Sequence, residues 1–151
     1  MPGSLTHCAS VEVPVPADVA FAFMADGMKQ THWALGSWER KALGDGLFVG
    51  TSLWDGELLY VRLTPHPELR VVDYAVGPAP ERLRFAVSAR VLDAEAIGAE
   101  LGRSLIALLT WRTPGTDEHE WDRTSYVWPT EVALIKSRIE HELRAGEPQR
   151  A

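Results

Sequence analysis

The sequence predicts an α+β fold in which a seven-stranded, curved antiparallel sheet wraps around one long C-terminal helix. Six strand-like segments follow one another without an intervening helix, which favours antiparallel over parallel pairing. One long amphipathic stripe occupies the C-terminal part of the chain, and a strand followed by two short helices occupies the N-terminal part. With 151 residues, 46% of them hydrophobic, the chain is expected to form a single domain over residues 1–151, with an ordered core of about 6–144.

The N-terminal part is predicted to contain the first strand and both short helices. In residues 7–13, the mainly apolar set His7, Ala9, Val11 and Val13 alternates with Cys8, Ser10 and Glu12, which is the period of a half-buried strand. A helical pattern follows Pro16, which suits a first turn, and it includes Val19, Ala20 and Phe23 at spacings of three and four. A second short helix is predicted over residues 28–35.

Six further strands are predicted between turn-forming Gly, Pro and Asp residues. They span residues 37–42, 47–53, 57–64, 69–76, 83–92 and 104–112. The clearest alternation lies in the fifth of these runs, where Phe85 and Val87 are expected on one face and Arg84 and Arg90 on the other. This pattern indicates a sheet with one dry and one solvated face.

The last element is predicted to be a long amphipathic helix. Asp117, with Glu120 three residues later, forms a capping-box sequence at its start. Its apolar stripe comprises Trp121, Trp128, Val132, Ile135, Ile139 and Leu143. Pro129 is expected either to kink this helix near residues 125–128 or to separate a short helix from a main helix that begins at Pro129. The tail over residues 145–151 is expected to be frayed.

Composition argues against several classes of protein. The net charge is -6 and the 15 Lys and Arg residues are scattered, so nucleic acid is not an expected partner. No apolar run approaches the roughly 20 residues that cross a bilayer, and no secretory signal is visible. We therefore expect no membrane insertion and a cytoplasmic location. The single cysteine, Cys8, excludes an internal disulfide.

Motifs for metal, nucleophilic or phosphate chemistry are missing from the sequence. The five histidines lie far apart, without an H-x-x-x-H or HExxH spacing. There is no G-x-S-x-G, and the Gly44-Asp45-Gly46 turn is not followed by a helix that could bind phosphate. We expect no metal and no cofactor.

The opening of the chain resembles that of a known superfamily. The run Val-Glu-Val-Pro-Val-Pro-Ala-Asp-Val-Ala-Phe-Ala-Phe at residues 11–23, followed by Asp26 and Trp33, is similar to the start of the START-like (SRPBCC) superfamily. This superfamily has the helix-grip or birch-pollen-allergen-like fold. The resemblance covers residues 6–144 and is closest to the bacterial polyketide cyclase/dehydrase-like branch. It implies a deep hydrophobic cavity for lipids, polyketides or other small apolar molecules, and edge strands that permit a homodimer.

The predicted cavity between sheet and helix gives a set of candidate ligand-binding residues. The set comprises His32, Trp33, Tyr74, Phe85, Val87, Trp111, Trp128, Val132 and Ile135. Solvent exposure is the alternative for His32, and core packing is the alternative for each of the tryptophans. No catalytic residue is identified.

Two pairs of strand residues decide which polar groups can enter this cavity. Tyr60 and Arg62 are expected outside, because the other face of their strand is aliphatic. Asp73 and Tyr74 are adjacent and must point to opposite faces. We expect Asp73 outside as a surface charge and Tyr74 inside; an inward Asp73 would need an arginine partner.

The sequence leaves three functions open. The first is binding of a small hydrophobic ligand, aromatic or polyketide-like, with cyclisation, dehydration or isomerisation of a flexible substrate as a further step. The second is a non-catalytic carrier or sensor that uses the same cavity. The third is a protein-interaction module that resembles the co-chaperone branch of the superfamily. Fold alone does not establish a reaction.

Overall fold

The computed structural model describes residues 3–146 and contains the predicted elements in the predicted order. The strands are β1 (Thr6–Val13), β2 (Trp38–Gly44), β3 (Leu47–Thr51), β4 (Leu58–His66), β5 (Val71–Gly77), β6 (Arg84–Asp93) and β7 (Ser104–Trp111). The helices are α1 (Ala17–Ala25), a 3₁₀ helix (Gly27–His32), the short α2 (Ala94–Ile97) and α3 (Glu118–Ala145). The sequence prediction lacks α2. Residues 147–151 of the tail expected to fray lie outside the described residues.

All seven strands belong to one curved sheet in the order β1-β7-β6-β5-β4-β3-β2, and every neighbouring pair is antiparallel. Strands β2 to β7 form a meander. Strand β1 joins its far edge, with Thr6 opposite Trp111 and Val13 opposite Ser104. The sheet and the long C-terminal helix confirm the predicted α+β helix-grip fold.

Helix α3 packs on the inner face of the sheet, against β1 and β7. The core between them is formed by alternate strand residues and by one face of the helix. Its members include Val13, Leu63, Val72, Tyr74, Ala89, Val91, Ile106, Leu108, Val132, Ile135 and Ile139. Burying these side chains stabilises the fold by roughly 1.5–3 kcal/mol for each large aliphatic residue.

Helix α3 begins at its predicted cap and continues past its proline. The Asp117 carboxylate accepts hydrogen bonds from two backbone N–H groups of the first turn, at 3.0 and 3.2 Å. The helix runs without interruption through Pro129, so a division into two helices is excluded. The buried stripe ends at Ile139, because Leu143 is 44% exposed.

The buried face of α1 contains Ala20 and Phe23 as predicted, but the prediction is wrong for Val19. Ala17, Ala20 and Phe23 are buried at spacings of three. This face sets the rotation of the helix, and Val19 is consequently 52% exposed.

The observed alternation of side chains in β6 differs from the predicted one because the strand contains a β-bulge. Tyr74 of β5 pairs with Val87, whereas the next residue, Ala75, pairs with Phe85. Ala86 is therefore an extra residue, and such a residue shifts the alternation of side chains between faces. Val87 packs against the core, but Phe85 lies on the outer face and is 51% exposed.

The polar residues of β4 and β5 have the expected orientations. Leu59 and Val61 line the cavity, so Tyr60 and Arg62 lie on the outer face of β4. Tyr74 is 1% exposed and faces inward. Asp73 faces outward, where its carboxylate accepts a hydrogen bond from Ser88 Oγ at 3.0 Å and lies 3.0 Å from His66 Nε2. Arg62 donates to the Asp45 carbonyl at 2.7 Å instead of pairing with Asp73.

Candidate ligand cavity

A cavity of about 1000 Å³ lies between the inner face of the sheet and the N-terminal half of α3. A single helix cannot cover the inner face of a seven-stranded twisted sheet, so part of that face has no helix against it. Small residues on the wall, including Ala34, Gly36, Ser37 and Ala86, leave this space unfilled. The volume is at the upper end of the usual range for small-molecule sites.

Four of the predicted ligand-binding residues lie on the wall of this cavity. They are Trp33, Tyr74, Val87 and Trp128, and they come from the segment after the 3₁₀ helix, from β5, from β6 and from α3. Apolar neighbours on the same wall include Leu59, Val61, Val76, Leu108 and Val127. Contact of these residues with a ligand stays a prediction.

The other five predicted residues lie elsewhere. His32 is exposed at the end of the 3₁₀ helix. Phe85 and Trp111 pack against each other on the outer face of the sheet, with their ring centroids 4.6 Å apart. Val132 and Ile135 share a face of α3 with Trp128, but they lie about one and two turns further along the helix, where that face packs in the core instead of lining the cavity.

Glu131 of α3 is a wall residue that the sequence prediction does not include. It is only 5% exposed, and its Oε1 accepts a hydrogen bond from the backbone N–H of Leu35 at 3.0 Å. Burial raises the pKa of this carboxyl to about 8, against the smaller opposing effect of the Leu35 N–H. No ion pair in residues 3–146 involves Glu131. At neutral pH the group is mostly a neutral carboxylic acid.

Arg40 of β2 is a second buried polar residue missing from the prediction. Its Nε donates to Ser37 Oγ at 2.8 Å, and its Nη1 donates to Gln30 Oε1 and to the Gly27 carbonyl. Burial lowers the pKa of the guanidinium to about 10, and the nearby Tyr74 partly offsets this effect. Arg40 thereby fixes Gln30 and Ser37, two polar side chains that line the cavity.

Tyr74 fastens the cavity wall to α1. Its hydroxyl donates to the Met24 carbonyl at 2.9 Å, and its ring meets Trp33 in an edge-to-face arrangement with centroids 6.4 Å apart. Burial raises the pKa of this phenol, while the charge of Arg40 lowers it. The hydroxyl is therefore neutral and already engaged at physiological pH.

An aromatic cluster lies at the mouth of the cavity. Trp54, in the turn between β3 and β4, packs edge to face with Tyr126 of α3 at 6.5 Å between centroids. The Arg123 guanidinium lies over the Trp54 ring, 4.5 Å from its centroid. These contacts hold the turn against the helix beside the opening.

Two kinds of feature are absent from residues 3–146. No three His, Cys, Asp or Glu side chains are grouped so that they could hold a metal ion. No helix in this range combines the length and the apolar character that a membrane crossing requires.

One of the two missed residues, Glu131, leaves a faint signal in the sequence. Glu131 lies three residues after Trp128 and four before Ile135, so it falls on the apolar stripe at helical spacing. The sequence gives no such signal for Arg40, whose burial between exposed neighbours in β2 is visible only in the structure. A charged residue at a core-facing position indicates a functional group more often than an ordinary surface charge does.

Comparison with known proteins identifies the fold. No protein-family model and no curated protein matches the sequence. A START superfamily protein from Mycobacterium smegmatis aligns with a TM-score of 0.67 at 8% identity, covering 91% of this chain and 98% of that chain. The Zhui aromatase/cyclase from a Streptomyces species aligns with a TM-score of 0.64 at 15% identity, covering 95% and 98%.

A third similar structure is the Aha1 dimer from Colwellia psychrerythraea, with a TM-score of 0.64 at 10% identity over 91% of this chain and 97% of that chain. Identities this low carry information about fold alone. The chain has the START-like helix-grip fold that its opening residues predict, and aromatase/cyclases are among its structural neighbours.

Proposed function

We propose that this protein binds a small hydrophobic ligand, aromatic or polyketide-like, in the cavity between sheet and α3. The observation that carries this proposal is the cavity of about 1000 Å³ whose wall combines Trp33, Tyr74 and Trp128 with the buried carboxyl of Glu131. Aromatic and aliphatic side chains combined with placed polar groups are typical of small-molecule sites, and the wall here also carries charged residues such as Asp55, Glu57 and Arg82. The aromatase/cyclases of the same fold support a ligand of this class.

We also propose a reaction for this site: cyclisation, dehydration or isomerisation of a flexible substrate. The cavity would hold the reacting atoms close together, and Glu131 would donate a proton to the substrate. A pKa of about 8 suits this role, because the carboxyl is protonated at neutral pH and can still release its proton.

A non-catalytic carrier or sensor is the second candidate. The Tyr74 hydroxyl is engaged with the Met24 carbonyl, and no described side chain is hydrogen-bonded to the Glu131 carboxyl. A buried acid without a partner side chain that accepts or returns its proton favours binding without turnover. Incubation with each bound compound, followed by mass spectrometry of the extract, separates the two, because only an enzyme changes the mass or the retention time of the ligand.

The remaining expectations from the resemblance stay predictions: a co-chaperone-like interaction module, a homodimer and a cytoplasmic location. A filled cavity with an exposed apolar patch would favour the interaction module. The open cavity favours the small-ligand proposal instead.

The test is native mass spectrometry with denatured controls, followed by tryptophan fluorescence titration with aromatic polyketides, sterols and fatty acids. We expect saturable quenching or a co-purified small molecule. The variant Val87→Trp fills the cavity and should weaken binding at least tenfold. The matched variant Phe85→Ala, on the outer face of the same strand, should bind like the wild type.

Two outcomes would contradict the proposal. The first is a folded wild-type protein that retains no small molecule and shows no saturable quenching with any compound class. The second is a Val87→Trp variant that binds as tightly as the wild type, which would place the ligand outside the cavity.

A further inference from the structure

We infer that Gln30, Ser37 and Glu131 form a donor wall that selects ligands with a hydrogen-bond-accepting oxygen, such as aromatic or polycyclic ketones and quinones. This inference rests on the proposed ligand-binding function and names the substrate class of the same cavity. All three side chains line the cavity, and each is at most 5% exposed.

Arg40 determines which hydrogen-bonding groups of Gln30 and Ser37 are free to bind a ligand. Its guanidinium donates to Gln30 Oε1 and to Ser37 Oγ, so an acceptor oxygen of each residue is engaged from behind the wall. The amide N–H groups of Gln30 and the O–H of Ser37 are left to donate. The positive charge of Arg40 also polarises both groups, which strengthens them as donors.

Glu131 of α3 adds a third donor beside the same segment, because its carboxyl is hydrogen-bonded to Leu35, which lies between Gln30 and Ser37 in the chain. Its Oε1 accepts from the Leu35 N–H, and no described residue forms a hydrogen bond with its Oε2. A carboxyl that served only to hold Leu35 would need one acceptor atom, which an amide supplies equally well. Because the buried acid is neutral at pH 7, its O–H is available to a ligand.

Other polar side chains also line the cavity, namely Ser52, Asp55, Glu57, Tyr74, Arg82, Arg84, Thr113, Thr116, Glu120, Arg123 and Thr124. The Tyr74 hydroxyl donates to the Met24 carbonyl and is not free to bind a ligand carbonyl. Glu120 and Arg123 lie at the mouth, at least two turns and about 12 Å along α3 from Glu131. A ligand oxygen at the donor wall therefore meets hydrogen-bond donors, whereas a hydrocarbon leaves the donors without a partner.

The test compares fluorenone with fluorene, two ligands that share a ring skeleton and differ in one carbonyl oxygen. We expect wild-type protein at pH 6.5 to bind fluorenone about tenfold more tightly, which corresponds to about 1.4 kcal/mol. The infrared C=O stretch of bound fluorenone should shift to lower frequency than in an apolar solvent. Glu131→Leu should reduce both the preference and the shift.

Glu131→Gln is the matched control, because an amide can accept from Leu35 and still donate to the ligand. Between pH 7 and 9 the wild-type preference should fall as Glu131 ionises, and that of Glu131→Gln should stay constant. Tyr74 stays neutral and Arg40 stays charged over this range, since the first pKa is raised and the second is about 10. The pH comparison does not depend on whether Glu131→Leu folds.

Equal affinity of wild-type protein for the two ligands, or a preference that neither pH nor Glu131→Leu alters, would overturn the donor wall and leave ligand binding intact. Failure of both ligands to bind also overturns it. The compound panel described above then decides whether the proposed function fails as well.

Discussion

Two buried polar side chains without an ion pair, Glu131 and Arg40, define the chemistry of the cavity. Burying such groups costs free energy unless hydrogen bonds replace water. Arg40 donates to Gly27, Gln30 and Ser37 and leaves its Nη2 without a partner, whereas Glu131 has only the Leu35 N–H and a pKa raised to about 8. The less compensated of the two is the one that faces the cavity, where a ligand can complete its hydrogen bonds.

Burial of Glu131 makes a prediction about stability. The folded pKa is about 8 and the ordinary value is 4.5, so the folded protein keeps a proton that the unfolded chain releases. The contribution of this group is fully present below pH 4.5 and is lost as pH rises through about 8, with a slope of at most about 1.4 kcal/mol per pH unit. Urea unfolding between pH 5 and 9 should show this loss for wild-type protein and not for Glu131→Gln.

Glu140→Gln, which removes a less buried carboxyl from the same helix, is the control and should follow the wild-type curve. Parallel pH dependences for wild-type protein and Glu131→Gln would mean that the carboxyl is hydrated and ionised in the folded state.

At the level of the elements, local periodicity predicts the strands and α3 correctly. A period of two or of 3.6 residues is a property of a short segment and can be read directly from the sequence. The bulge at Ala86 depends on how β5 and β6 pair, and neither strand contains that information alone. For this reason the sequence predicts Phe85 in the cavity, although it lies outside. The burial of Glu131 also depends on tertiary contacts, and a single charged residue on an apolar stripe does not reveal its environment.

The proline inside α3, Pro129, leads to a prediction about the stability of the protein. It has no N–H, so the Ser125 carbonyl lacks its usual hydrogen bond inside a helix that otherwise continues from Glu118 to Ala145. Pro129→Ala restores that bond and should raise the free energy of unfolding by about 1–3 kcal/mol, as measured by urea denaturation. Pro80→Ala, at an exposed position between β5 and β6, should change stability little. A less stable Pro129→Ala protein would show that the packing of Trp128 requires the proline.

At the scale of the whole molecule, the two edges of the sheet differ in how regularly their strands pair. The β1–β7 ladder has a continuous register over eight residue pairs, and β7 buries Ser104, Ile106 and Leu108 completely. The β2–β3 ladder has two register irregularities, and Arg40 is the one buried residue of β2. Glu39, beside it, adopts a φ of 50°, which is unfavourable for a residue other than glycine. The β2–β3 end should therefore open locally at lower free energy than the β1–β7 end.

Hydrogen exchange measured by mass spectrometry tests this difference and links it to ligand entry. Amides of β7 should exchange only on global unfolding, and those of β2 at least about a hundredfold faster. A bound ligand should slow exchange mainly in residues 33–37 and 52–59, which line the cavity on the β2–β3 side, and leave β1 unchanged. Equal protection of β2 and β7 would contradict this gradient. Protection confined to β1 and β7 would place the ligand elsewhere. The expected pattern places the ligand beside the Trp54 turn, which is held by the side chains of Arg123 and Tyr126 and by the hydrogen bond from the Leu53 N–H to the Leu35 carbonyl.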